Sequence, residues 1–135
     1  MCACCQTKKT IQTEKAPKAI GPYSVATTIE DFVFTSGQLG IIPETGQLAD
    51  GIEAQTRQAL KNVEAVLEAA GSCLACVLKT TVFLKSMSDF ATMNAIYAEF
   101  FTSDFPARSA IEAAALPKGG LVEIETIARI CKDQA

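Results

Sequence analysis

Three arginines, no histidine and two glutamates separated by a single residue narrow the chemistry this chain can do. Without histidine it lacks the commonest general base, the commonest metal ligand and the usual partner of a nucleophilic serine. Catalysis falls to Tyr, Glu, Asp, Lys, Arg, backbone groups and water. Of the arginines, Arg57 lies on a helical pattern and Arg129 near the C-terminal end. Arg108 opens a strand-like run directly after Phe105-Pro106-Ala107, which makes it the positioned one. A guanidinium fork grips a carboxylate through two parallel charge-assisted hydrogen bonds, so Arg108 is the candidate anchor for a small carboxylic acid. A structural salt bridge is the other reading.

In Leu121-Val122-Glu123-Ile124-Glu125, the two-residue period of a strand sends Glu123 and Glu125 to one face. Mutual repulsion and partial burial would raise a carboxyl pKa toward neutrality and suit acid/base work, while a plain solvated strand face needs neither. Ile20-Gly21-Pro22-Tyr23-Ser24 joins a turn to an aromatic hydroxyl. Thr35-Ser36-Gly37-Gln38 ends a strand with small residues, where a ligand can approach the backbone. Both segments also suit ordinary turns. Lys118-Gly119-Gly120 lacks the rest of a phosphate-binding loop and reads as a connection.

The six cysteines do not form a disulfide framework: Cys2, Cys4 and Cys5 crowd the N-terminus, and Cys73, Cys76 and Cys131 lie far along a core-bearing sequence. Reduced thiols are expected. Cys73-x-x-Cys76 has the spacing of half a zinc or redox motif, but no second pair matches it, so neither metal nor cofactor is expected.

These residues need elements to hold them. Tyr23–Ile29 and Phe32–Gln38 read as a hairpin around Glu30-Asp31, and Ile42–Gly46 as a surface loop. Asp50 with Glu53 starts an amphipathic helix that runs through Ile52, Thr56, Leu60, Val63, Leu67 and Ala70 to Gly71. Val77–Ser86 alternates as a strand. Ser88 is placed to cap a second helix whose Phe90, Met93, Tyr97, Phe100 and Phe101 form a core stripe. Ala107–Ala115 and Leu121–Ile130 are the last strands. The pattern is α+β, with two helices able to cover only one face of a mixed sheet of roughly four to six strands. The uncovered face is expected to pack on copies of the same chain.

The 135 residues fit one domain, and 49% apolar with 20% charged residues is the composition of a folded protein. A flexible cysteine-rich extension is expected over 1–14 and a single domain over 15–135. A net charge of −3 with scattered lysines disfavours nucleic acid as a partner. No apolar run approaches a membrane span and no secretory h-region is present, so a soluble cytoplasmic protein is expected.

Ala19-Ile20-Gly21-Pro22-Tyr23-Ser24, Thr35-Ser36-Gly37-Gln38, Asn62-Val63, Phe90-Ala91, Asn94, Pro106-Ala107-Arg108-Ser109, Leu116-Pro117-Lys118 and Glu123-Ile124-Glu125 occur in this order. Together they closely resemble the RidA (YjgF) family of reactive-intermediate deaminases, over about Lys15 to Ala128. The resemblance implies a chorismate-mutase-like fold, a homotrimer built around a central barrel, and active sites in the clefts between subunits. It implies hydrolysis of 2-imino and 2-enamino acids, such as 2-aminoacrylate and 2-iminobutanoate, to 2-oxo acids and ammonia, without cofactor. These reactive species leak from pyridoxal-phosphate enzymes. By the same resemblance Arg108 would bind the substrate carboxylate, Glu123 would hold and polarise water, and Tyr23 would shape the pocket. Gly37 would offer its backbone, with Ser36, Asn94 and Phe90 nearby. Where some members have cysteine two residues after the motif arginine, this chain has Ala110, so no mechanism that uses that thiol is available. A non-catalytic trimeric sensor of small carboxylates is the competing reading, and RNA cleavage a third that the acidic charge disfavours.

Overall fold

The computed structural model describes residues 2–3 and 7–131; Cys4 and Cys5 of the expected tail lie outside the described residues. The β-branched and aromatic residues around Glu30-Asp31 form the hairpin of β2 (Ala26–Ile29) and β3 (Phe32–Thr35), with Thr28 opposite Val33 and Ile29 opposite Phe32. β1 (Lys9–Ile11) pairs with the outer edge of β2. The flexible extension expected over 1–14 is corrected at these residues. A strand edge offers unpaired backbone groups to any adjacent segment, and this main-chain pairing leaves no period in the side chains.

After β3 come β4 (Gln38–Leu39) and a separate small hairpin, β5 (Ile41–Ile42) with β6 (Gln47–Leu48), whose turn lies within the expected Ile42–Gly46 loop, Ile42 itself being in β5. Helix α1 (Gly51–Ala69) starts after Asp50, as its pattern requires, and stops before Gly71, whose φ of 82° suits glycine. β7 (Val77–Leu84) leads through α2 (Phe90–Phe100) to β8 (Ala107–Glu112), and β9 (Val122–Arg129) follows. Ser88 does not cap α2. Its N–H donates to the Ser86 hydroxyl over a 3-10 turn at Met87–Asp89, and α2 begins at Phe90. β8 stops at Glu112, short of the expected Ala115.

Among the described residues the main sheet has seven strands, more than the roughly four to six expected, because β1 and the short β4 join it. Its order is β1-β2-β3-β9-β7-β8, with β4 also on β9, and β7–β8 is its parallel pair. Helix α2 is the crossover that a parallel pair requires. Val33, Val82, Leu84, Val122, Ile124 and Ala128 turn one sheet face toward Leu60, Val63 and Leu67 of α1 and Met93 of α2, all fully buried. Among the described residues no helix lies on the opposite face. Register places Ile29, Phe32 and Phe34 on it, all exposed, with Phe83 and Ile127 alongside.

Two devices seat α1 on the chain between β3 and β6. Buried Asn62 donates from Nδ2 to the carbonyls of Leu39 (3.0 Å) and Ile41 (2.8 Å) and accepts from Gln58 Nε2 (2.9 Å). Gly40 lies against the helix backbone, where an added Cβ would stand 2.5 Å from the Cα of Gln55 and 2.8 Å from its carbonyl carbon. Helix backbone yields less readily than a side-chain tip, so Gly40→Ala is expected to destabilise the fold by about 1–3 kcal/mol. A urea midpoint equal to that of wild type at matched protein concentration would contradict this packing.

Candidate functional site

A one-residue bulge creates the first half of the site. Phe34 faces Ile127 and Gln38 faces Ile124, so Thr35, Ser36 and Gly37 stand against only Thr126 and Glu125. Such a bulge reverses the alternation of the strand that follows it. Its local cost is met by side chains: the Thr126 N–H donates to Thr35 Oγ1 (3.0 Å), and the two threonine hydroxyls lie 3.1 Å apart. The bulge brings Gly37 beneath the side chain of Glu123, where a Cβ would stand 2.8 Å from the Glu123 Cδ and 2.9 Å from its Cγ. A side chain at this position would displace the Glu123 carboxyl group from its place.

Ser36 ties the Tyr23 segment to this point. Its hydroxyl donates to the Ser24 carbonyl (2.6 Å), and its N–H donates to the Val25 carbonyl (2.8 Å). The Tyr23 hydroxyl accepts from the Ile20 N–H (3.3 Å). Tyr23, Ser36, Gly37 and Glu123 line one cavity of about 240 Å³, which also includes Gln38 and Lys18. Glu123 is half-buried, and its carboxyl pKa is raised, first by loss of hydration and then by the negative charge of Glu125 on the same face. Glu125 itself makes no ion pair among the described residues. A carboxyl group with a raised pKa beside a cavity is suited to exchanging protons with a bound water.

The second half forms around Arg108. Its Nη1 donates to Asn94 Oδ1 (2.7 Å), and its guanidinium carbon lies 4.8 Å from the ring centroid of Tyr97 and 5.6 Å from that of Phe90. Tyr97 is held in turn by a 2.8 Å hydrogen bond with Thr80. Aromatic faces fix the plane of a guanidinium and leave its remaining donors directed outward. Arg57 grips Glu99 with two hydrogen bonds of 3.0 and 3.1 Å, and Arg129 approaches Asp31 at 3.6 Å. Among the described residues Arg108 has no carboxylate partner.

The expected site residues therefore fall into two groups, and the sheet separates them. Arg108 pairs with Thr80, which faces the helices, whereas Glu123 pairs with Phe83 on the open face. Arg108 and Glu123 point to opposite sides of the same sheet. Sequence reasoning assigned Tyr97 to the core stripe and missed its second task under the guanidinium; a helical stripe carries no sign that one member also meets a charge. The bulge was missed as well, because Phe32–Gln38 reads as one unbroken strand.

The endoribonuclease L-PSP family profile matches residues 13–130. The chain is 54% identical over 122 residues to a RutC family protein of Pyrococcus horikoshii, covering 90% of this chain and 97% of that one. It is 52% identical over 123 residues to the 2-iminobutanoate/2-iminopropanoate deaminase of Salmonella typhimurium, covering 89% and 96%. The crystal structure of RidA from the Antarctic bacterium Psychrobacter superposes with a TM-score of 0.89 at 48% identity, over 90% of this chain and 99% of that one. With a bulge, a glycine-seated glutamate and an aromatic-backed arginine at the motif positions, and with these matches along nearly the whole domain, the chain belongs to the endoribonuclease L-PSP family, which includes RidA.

Proposed function

We propose that this protein is a 2-iminobutanoate/2-iminopropanoate deaminase that needs no cofactor and works in the cytoplasm as a homotrimer around a central barrel, with each active site between two subunits. One observation carries the assembly: Arg108 and Glu123 lie on opposite faces of one sheet, so one chain cannot bring them to the same small molecule. Two neighbouring chains can, with Arg108, Asn94 and Phe90 from one and Tyr23, Ser36, Gly37 and Glu123 from the other. The uncovered face with Ile29, Phe32 and Phe34 supplies apolar surface for such an assembly. Exposed apolar residues also border each half, Ile20 (60% exposed) beside Tyr23 and Phe105 (69%) beside Arg108.

The identity to named deaminases supports the reaction, and the residues suit it. Arg108 holds the carboxylate of a protonated 2-imino acid and fixes the position of the imine carbon. Glu123 accepts a proton as water adds to that carbon, forming the C–O bond and moving the C=N electron pair onto nitrogen. It returns the proton to the amine nitrogen, then takes the remaining hydroxyl proton as the C–N bond breaks. A 2-oxo acid forms, and ammonia leaves with that proton as ammonium. Tyr23 borders the cavity and shapes the pocket. A sensor that only captured carboxylates would need Arg108 but not a glutamate of raised pKa in a cavity. RNA cleavage, named in the family description, would be served by a track of cations along the phosphates, and the nine lysines are scattered over a chain of net charge −3.

An imino acid generated in situ by an amino-acid oxidase provides the assay. Wild type should accelerate its disappearance, and Arg108→Ala should lose about 100-fold or more of that acceleration, corresponding to about 3 kcal/mol of charge-assisted binding. Full activity of the variant would remove Arg108 from the reaction. Arg108→Ala and Glu123→Gln, each impaired alone, should regain activity when refolded together, since about a quarter of randomly assorted interfaces then carry both native residues. Mixed trimers verified by mass spectrometry that stay inactive would rule out a shared site.

The reaction needs Glu123 ionised to accept a proton. Because its folded pKa is raised, activity should fall on acidification at a pH above the ordinary carboxylate range. Glu125→Gln removes one cause of the rise and should move that acid limb to lower pH. A kcat/KM profile unmoved by this substitution would detach Glu123 from the acid limb.

A further inference from the structure

A second constellation lies outside the site described above. Cys73 precedes and Cys76 ends a 3-10 turn (Leu74–Cys76) between α1 and β7, and Cys131 follows the end of β9. Distant in sequence, the three sulfurs converge: Cys76 to Cys131 is 2.8 Å, Cys73 to Cys131 is 3.3 Å and Cys73 to Cys76 is 3.6 Å. No second pair accompanies Cys73-x-x-Cys76; the third thiol is a single cysteine that the fold brings in from beyond the end of β9.

Three features distinguish this cluster from a chance meeting of thiols. A disulfide joins two sulfurs, whereas here three surround one point. Three thiolates on one ion at about 2.3 Å would stand about 3.8 Å apart in tetrahedral and about 4.0 Å in trigonal coordination, so the closest pair must open by about 1 Å. The Cys76 N–H also donates to the Cys73 carbonyl (3.0 Å), which closes the turn that holds these two sulfurs near each other. Finally, the two chain segments are pinned together independently of the sulfurs. The Cys131 N–H donates to the Gly71 carbonyl (2.9 Å), and the Ser72 hydroxyl donates to the Arg129 carbonyl (2.6 Å). All three thiols remain within reach of solvent, which leaves an entry path and room for a water.

We propose that Cys73, Cys76 and Cys131 form a three-thiolate binding site for a thiophilic metal cation, Zn2+ with a solvent-derived fourth ligand or Cu+ in trigonal coordination. Such soft donors suit these ions and reject Mg2+ and Ca2+. Binding releases the thiol protons to solvent and involves no change of oxidation state. The bound ion would staple the end of β9 to the loop after α1, about 25 Å along the strand from Glu123. It is therefore a stabilising site, separate from the catalytic one.

The test uses full-length protein, fully reduced and freed of metal, titrated with Zn2+ or Cu+ against a chromophoric chelator. Co2+ serves as the spectroscopic probe of thiolate ligation. One equivalent of Zn2+ or Cu+ per chain is expected to bind, with the more tightly held ion identifying the coordination, and Zn2+ binding should be accompanied by a sulfur-to-cobalt charge-transfer band in the Co2+ form. Bound metal should raise the melting temperature. Cys131→Ser should weaken binding at least about tenfold and abolish the thermal shift while leaving imine hydrolysis at the wild-type rate, which also shows the variant is folded. A Cys2→Ser, Cys4→Ser, Cys5→Ser variant should still bind one equivalent. The proposal is overturned if neither ion binds, if Cys131→Ser binds as wild type does, or if the triple variant loses the site. A thiol count showing two of Cys73, Cys76 and Cys131 joined in a disulfide despite excess metal would also overturn it.

Discussion

A sheet with helices on one side only is the constraint on which the rest of this molecule depends. α1 and α2 cover the face formed by Val33, Val82, Val122 and Ile124, and the period of two along each strand sends every alternate side chain away from them. β7 fixes both registers at once, with β9 on one side and β8 on the other. Thr80 hands Arg108 to the helix face and Phe83 hands Glu123 to the open one. The apolar surface left bare by Ile29, Phe32 and Phe34 and the division of the site into two halves have the same origin: both follow from which face the helices occupy.

Within that frame, precision at each half comes from small departures from regular structure. The bulge at Thr35–Gly37 breaks the ladder, and the two threonine hydroxyls repair it, so that Gly37 can lie beneath Glu123. On the other side Tyr97 is both a core residue bonded to Thr80 and a flat support for the Arg108 guanidinium. Asn62 and Gly40 hold the chain beyond the bulge against α1, so the cavity wall and the hydrophobic core share the same fastening.

Much of this was legible in the sequence. The hairpin, both helices and the last strands follow from alternation, helical spacing and turn residues, and the motif order from Ala19 to Glu125 pointed to the family that the later comparisons show. The misplacements have identifiable causes. β1 is held by main-chain bonds that leave no period in Lys9–Ile11, and Ser86 competes with Ser88 for the turn before α2. The bulge at Thr35–Gly37 adds one residue to a run read as a single strand, and its mark in the sequence, Gly37 among small residues, suits an ordinary strand end equally well.

The sequence by itself determined the type of protein and the parts of its chemistry: an α+β domain, an arginine suited to a carboxylate, a glutamate on an alternating strand, and no histidine. Those properties reside in residue types and short-range periods, which a linear chain displays. The tertiary structure decided which parts meet. It placed Arg108 with Asn94 and the rings of Phe90 and Tyr97, put Glu123 over Gly37 on the other side of the sheet, and carried Cys131 across to Cys73 and Cys76. Contacts between residues far apart in the chain depend on strand order, register and the face each side chain takes, and the packing of the whole domain sets all three.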